Sequence, residues 1–89
     1  MKVNTTEMRV VADFIDAATE QLERRDYTVD EVDYQVSYSV VIQFKIPGCD
    51  VPAYLSAAWR EIRMNVGNVS DVIKARIRVA EKTAWQQAA

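Results

Sequence analysis

A long stretch in the middle of the chain alternates between apolar and polar side chains. Apolar residues occupy the even positions from Val32 to Ile46, and polar residues occupy the odd ones apart from Val41. A period of two with many β-branched and aromatic residues is typical of a strand that buries one face. The run is too long for one straight strand in a chain of this size. It predicts a turn or bulge near 37–39, a bent strand, or a strand completed by another chain, with residues 27–29 as a short partner strand.

A helical period precedes this run. Apolar residues recur every three or four positions from Met8 to Leu22, which predicts a first helix over about residues 5–25. Asn4 stands at the position of an N-cap, and Glu7 follows it at the spacing of a capping box.

Two more helices are predicted after the strand, which Pro47 and Gly48 end. Asp50 is the expected cap of the second helix and Pro52 lies in its first turn. Its expected apolar stripe consists of Tyr54, Leu55, Ala58, Trp59, Ile62 and Val66, and Gly67 fits its end. The third helix is expected from Asn68 or Ser70 to about Gln86, with Val69, Val72, Ile73, Ile77, Ala80 and Ala84 on its apolar side.

These elements predict an α+β fold in the order α-β-(β)-α-α. A small antiparallel sheet of two to three strands would carry three helices on one face, with its completion across a dimer as an open alternative. The 89 residues are 49% hydrophobic and 27% charged, which indicates one folded domain over residues 1–89. A core this small favours dimerisation as a way to bury more surface.

The composition removes most catalytic chemistry. The chain has no histidine, and Cys49 is its one cysteine, so a general base for a thiol nucleophile is missing and an internal disulfide is excluded. It has no phosphate-binding glycine loop, no CxxC and no HExxH motif. We therefore expect no enzyme activity, no cofactor and no metal site. Without a signal peptide or a membrane-spanning run, the expected location is the cytoplasm, or the host cytoplasm for a viral protein.

Charge is distributed unevenly along the chain. Residues 1–50 hold five Lys or Arg against ten Asp or Glu, whereas residues 51–89 hold six against three. The spacing places four acidic residues on one side of the first helix, and three more follow in the chain. This predicted partner-binding acidic face comprises Asp13, Asp16, Glu20, Glu23, Asp30, Glu31 and Asp33. The alternative interpretation is an ordinary solvated surface.

A basic stripe on the third helix is an alternative binding face. Lys74, Arg78 and Lys82 recur every four residues, and Trp85 projects on the same side. A tryptophan beside cations is typical of interaction hot spots and of base-stacking surfaces. The competing expectation is that the end of this helix frays and the indole packs onto the core.

The second half of the chain resembles ribbon-helix-helix DNA-binding repressors. The matching pieces are the strand Val41-Ile42-Gln43-Phe44-Lys45-Ile46 before Pro47, the predicted second helix, Gly67, and the start of the third helix at Ser70. The resemblance implies that two chains pair their strands as a ribbon in the major groove, with Gln43 and Lys45 reading bases. The acidic first half would repel DNA.

The function these observations favour is a non-enzymatic protein-interaction module. We expect a homodimer that binds a basic surface of another protein or host macromolecule through its acidic face. Small acidic chains without catalytic motifs are typical of regulators and inhibitors encoded by phages and mobile elements. The alternatives are a dimeric ribbon-helix-helix-like DNA-binding regulator, which makes nucleic acid the less favoured partner, and a structural or assembly component. No membrane partner is expected.

Overall fold

Three helices and three strands follow one another in the order α-β-β-β-α-α. The computed structural model describes residues 5–89. The elements are α1 (Thr5–Arg24), β1 (Thr28–Asp33), β2 (Ser39–Lys45), β3 (Ala53–Ala58), α2 (Trp59–Met64) and α3 (Val69–Ala88). Short 3-10 turns occupy Val36–Tyr38 and Val66–Asn68. The α+β class and the antiparallel sheet are confirmed.

The strand β2 lies at the centre of the sheet. The order is β1-β2-β3 and both pairings are antiparallel. Val40, Ile42 and Phe44 are completely buried, so the even positions within β2 point into the core as predicted, whereas Tyr38 in the preceding turn is 48% exposed. Because a strand side chain alternates between faces, Val41, Gln43 and Lys45 point to the uncovered face.

The alternating run folds back on itself, which confirms the first of its three predicted solutions. β1 and β2 are joined through a turn in which Ser37 and Tyr38 both have positive φ, 54° and 55°. The backbone N–H of Gln35 donates to Asp33 Oδ1 at 3.1 Å, so the aspartate helps to start the turn. The Tyr38 ring meets Trp59 edge to face at 5.6 Å, which anchors the turn to the start of α2.

A bulge in β1 changes which residues face inward. Val29 lies opposite Phe44 and Glu31 lies opposite Gln43, so Asp30 is the extra residue. Val29 and Val32, three positions apart, therefore both turn toward the core. The predicted partner strand of residues 27–29 begins one residue early and is too short, because the bulge lets pairing continue to Asp33.

The predicted second helix is wrong over its first half. Residues 53–58 form β3, with Ala53, Leu55 and Ala57 buried and the alternate residues exposed. Asp50 and Pro52 therefore precede a strand and do not cap a helix. The real α2 starts at Trp59 and spans six residues. Gly48, with φ 83°, is the left-handed position of the turn between β2 and β3, and Cys49 N–H donates to the Ile46 carbonyl at 3.0 Å.

The first and third helices follow the prediction closely. α1 ends in a Schellman motif, in which Tyr27 N–H donates to the Leu22 carbonyl and Asp26 N–H to the Glu23 carbonyl. Asn68 is at the N-cap of α3, although its side chain makes no capping hydrogen bond. The predicted cap Asn4 lies outside the described residues, and Glu7 forms an ion pair with Arg63 at 2.8 Å.

All three helices pack on one face of the sheet. α1 contacts β1 and β2, whereas α3 packs mainly against β3 and α1. The largest completely buried side chains come from every layer: Phe14, Phe44, Leu22, Ile42, Leu55, Ile62, Ile73, Ile77, Val11 and Val40. The opposite face of the sheet carries the polar and acidic positions of the three strands, as is common for antiparallel sheets.

Because residues 53–58 form a strand, substitution of two adjacent residues should have very different effects on stability. Replacing the buried Leu55 by Ala should reduce the free energy of unfolding by about 2–5 kcal/mol, because it leaves a cavity in the core. Replacing the half-exposed Tyr54 by Ala should change it by about 1 kcal/mol or less. Urea unfolding followed by circular dichroism measures both. Equal losses would contradict the strand, since a helix would place both residues on its apolar stripe.

Candidate interaction surfaces

The acidic stripe on α1 is solvent-facing. Asp13, Asp16, Glu20 and Glu23 are exposed on the side of the helix opposite the buried Ala18 and Leu22. Glu20 forms an ion pair with Arg24 one turn later. The other three carboxylates make no ion pair within the part of the chain that the structure describes. The stripe is thus a line of negative charge with one internal ion pair, and Arg9 is the cation that stands on the same side one turn before Asp13.

The acidic residues of β1 lie on a different side of the molecule. Glu31 and Asp33 line a shallow depression on the uncovered sheet face, together with Val41, Gln43 and Tyr54. Asp30, the bulge residue, faces Lys45 at 4.0 Å. The sheet and the core therefore separate these carboxylates from the α1 stripe. The seven residues of the predicted acidic face therefore lie on two separate surfaces, and their role in partner binding stays a prediction.

The basic stripe on α3 is also exposed. Lys74, Arg78 and Lys82 make no ion pair with any residue that the structure describes. Trp85 is 47% exposed, and its ring edge lies 3.9 Å from the position that a β-carbon on Gly48 would occupy. The helix does not fray before the tryptophan, since it continues to Ala88. The indole thus covers the turn between β2 and β3 with one edge and leaves the rest in solvent.

The structure does not provide the ribbon that the repressor resemblance implied. β2 is hydrogen-bonded to β1 on one side and to β3 on the other, so it cannot pair with a second chain. The segment after Pro47 leads to a strand and not to a helix. Gln43 lies directly between Glu31 and Tyr54, in surroundings that would repel a phosphate backbone. The assignment of Gln43 and Lys45 as base-reading residues is therefore not supported by their positions.

An apolar cavity that the sequence analysis does not predict borders the acidic stripe. It is a half-open cavity of about 220 Å³ between α1, α2 and the start of α3. Its lining residues are Val10, Asp13, Phe14, Ile62, Val66 and Val69. Val66 is 58% exposed at its mouth. The sequence does not reveal this cavity, because a second helix that starts directly after Asp50, as predicted, would place Ile62 and Val66 in a different part of the structure.

No cluster that would bind a metal ion is present in residues 5–89: nowhere among them do three Cys, Asp or Glu side chains come together in a suitable arrangement. Nor is any helix in that range long and apolar enough to cross a membrane. In comparisons with known proteins, no family model matches this chain, and no curated protein or solved structure matches it either.

One tyrosine links the acidic half of the molecule to α3. The Tyr27 hydroxyl donates to the Glu81 carboxylate, and the Tyr27 ring stacks on Phe44 at 5.5 Å. Burial, followed by the hydrogen bond and the charge of Glu81, raises the pKa of Tyr27 to about 12 from its ordinary value of 10. The neutral hydroxyl is therefore favoured in the folded state.

This raised pKa predicts a loss of stability at high pH. The unfolded chain releases the tyrosine proton near pH 10, whereas the folded chain retains it to about pH 12, so the stabilisation is complete below pH 10 and declines between the two values. Tyr27→Phe should lower the free energy of unfolding by about 1 kcal/mol at pH 7. It should also reduce the stability lost between pH 10 and pH 12, measured by urea unfolding across that range. Tyr54→Phe, at an exposed tyrosine, is the control, and an unchanged pH dependence in Tyr27→Phe would contradict the assignment.

Proposed function

We propose that this protein is a non-enzymatic binding module that contacts a basic surface of another protein through the α1 stripe. The observation that carries the proposal is the line of four exposed carboxylates, of which only Glu20 has an ion-pair partner among the described residues. Like charges stacked along a helix are unfavourable for the isolated chain. A basic partner would relieve that repulsion, so the loss of repulsion between the carboxylates would contribute to the free energy of binding.

The dimensions of the stripe define the partner surface. Asp13 and Glu23 are ten residues apart on one helix, which corresponds to about 15 Å along the axis. A basic helix or a ridge of lysine and arginine side chains fits this length. Attraction between such surfaces accelerates encounter and weakens as salt is added.

The cavity beside Asp13 supplies a site for apolar contact. Asp13 lies in its lining, so the cavity and the acidic stripe form one continuous surface. The exposed Val66 extends the apolar area at the cavity mouth. A partner that places an apolar side chain in the cavity next to a basic residue would gain lasting affinity as well as fast encounter.

Occupation of a partner's basic surface is a mode of action that suits a regulator or inhibitor. A bound module of this size would compete with any acidic ligand that uses the same surface. Inhibition by occupying a surface needs no catalytic residue. In this proposal the binding residues are those of the α1 stripe and the adjoining cavity. The carboxylates of β1 are too far around the molecule to contribute to the same contact.

Neutralising the free carboxylates tests the proposal. The variant Asp13→Asn/Asp16→Asn/Glu23→Gln should reduce capture of the partner from a lysate at least tenfold, because three charge contacts of modest individual strength are lost. The readout is quantitative mass spectrometry of captured proteins, followed by the Kd of the purified partner at two salt concentrations. Wild-type binding should weaken with salt more steeply than that of the variant.

A matched control carries the same change in net charge. Glu31→Gln/Asp50→Asn/Asp71→Asn removes three exposed carboxylates from other surfaces and should bind as wild type does. A partner retained equally by both triple variants would refute the α1 stripe as the binding surface. A partner lost instead from Lys74→Gln/Arg78→Gln/Lys82→Gln would assign binding to the basic stripe on α3.

A further inference from the structure

The outer edge of β3 is an unpaired strand edge. β3 pairs with β2 on one side, and within residues 5–89 its backbone makes no hydrogen bond on the other side. Its six residues, Ala53–Ala58, are all uncharged, and the register with β2 has no bulge. Such an edge presents a regular row of N–H and C=O groups, which natural proteins normally block or cover.

The other edge of the same sheet is blocked. β1 carries the Asp30 bulge and the charges of Glu31 and Asp33, which are standard features that prevent a strand from pairing further. A second copy would also bring these carboxylates against their own equivalents. The two edges therefore differ, and only the β3 edge is compatible with a strand of this same chain.

A flank of α3 lies on the same side as this edge. Two α3 residues contact the part of the chain formed by α1 and the residue before β1: Ser70 accepts from Gln21, and Glu81 accepts from Tyr27. At 100° per residue, Val72 and Val79 project from the opposite side of the helix. Because α3 packs on β3, that side faces outward beyond the sheet edge. Val79 is 60% exposed there, and the exposed Ala75 lies between the two valines.

The charges on this flank are already balanced. Arg76 forms an ion pair with Glu61 of α2, and both line the shallow surface formed by Val72, Ala75 and Val79. An isologous contact brings each surface patch against itself, so a patch with net charge would be repelled. The residues that line this surface carry one positive and one negative charge, which pair with each other, and β3 itself is uncharged. The exposed faces of α1 and β1 are acidic, and the side of α3 that carries Lys74, Arg78 and Lys82 is basic.

We propose that a second copy of this chain covers this side, by antiparallel pairing of β3 with β3 into a six-stranded sheet. With the two-fold axis at Leu55, near the middle of β3, Leu55 of each copy lies opposite Leu55 of the other. Tyr54 then lies opposite Ser56, because antiparallel pairing opposes residues that share a face. The same two-fold axis brings the α3 flanks together beneath the sheet. Val72 and Val79 of one copy then approach Val79 and Val72 of the other, across the small Ala75.

This dimer does not depend on the proposed function, because it uses a different side of the molecule. The wild-type protein should sediment at twice its 10.1 kDa mass at about 50 µM. Tyr54→Lys/Ser56→Lys places like charges opposite each other across the axis, and Val79→Glu places a carboxylate between the α3 flanks. Each variant should raise the dimer Kd at least tenfold in sedimentation equilibrium. All these positions are exposed in the single chain, so the variants should keep the circular dichroism spectrum of the wild type.

Two controls match these changes in charge and exposure. Thr28→Lys/Gln35→Lys adds two lysines at exposed positions of and beside β1, and Val66→Glu replaces a valine that is 58% exposed on another surface. The dimer Kd of both controls should be within threefold of the wild-type value.

Hydrogen exchange provides a second measurement: the β3 amides should be protected in the dimer and should lose that protection when dilution dissociates it. A monomer at about 1 mM, a dimer weakened equally by the controls, or a dimer whose β3 amides exchange freely would overturn the proposal.

Discussion

The burial of one face of β2, with both of its backbone edges paired, is the constraint on which the rest of the structure depends. Val40, Ile42 and Phe44 are completely buried, and their removal from water requires helices on that face. The backbone of a central strand also requires a neighbour on each side. These two requirements place β1 and β3 beside β2 and hold α1 and α3 against a single face of the sheet. The polar positions of β2 are then left on the open face.

The elements that were predicted correctly have strong local patterns. α1 and α3 each repeat an apolar stripe over 20 residues, and β2 alternates large apolar and polar side chains, so local periodicity is sufficient to identify them. β3 was missed because its inward side chains include two alanines, which are poor strand formers, and because its Tyr54 and Leu55 combine with later apolar residues at helical spacing. Residues 53–58 adopt a strand because they pair with an edge of β2 that would otherwise have no hydrogen-bond partners. This pairing joins residues that are distant in sequence, so the local sequence pattern does not reveal it. The β1 bulge was likewise invisible, because it is defined only by pairing with β2.

The same distinction between local and non-local features explains which candidate surfaces could be predicted from the sequence and which could not. The α1 stripe could be predicted, since four residues on one helix have fixed relative positions whatever the helix packs against. Whether those residues share a surface with Glu31 and Asp33 depends on which sheet face is covered, and the structure places the two groups on separate surfaces. The repressor resemblance treated Gln43 as a residue on an intermolecular ribbon, whereas β3 occupies the position where a second chain would have paired. The cavity beside Asp13 arises between three helical segments, so it becomes visible only after α2 is correctly placed.

The two proposed contacts occupy opposite ends of the helical layer. α1 contacts β1 and β2, and α3 lies between it and the open edge of β3. A two-fold axis at that edge would therefore leave both α1 stripes exposed, one at each end of a six-stranded sheet. A dimer of this form presents two α1 stripes whose distance and orientation are fixed by the continuous sheet. A partner with two basic surfaces at the same separation would bind the dimer more tightly than a single α1 stripe could bind it. The reason is that the second contact forms within an existing complex. A partner with a single basic surface would gain nothing from dimerisation, so the ratio of dimer to monomer affinity reports whether the target is itself repeated.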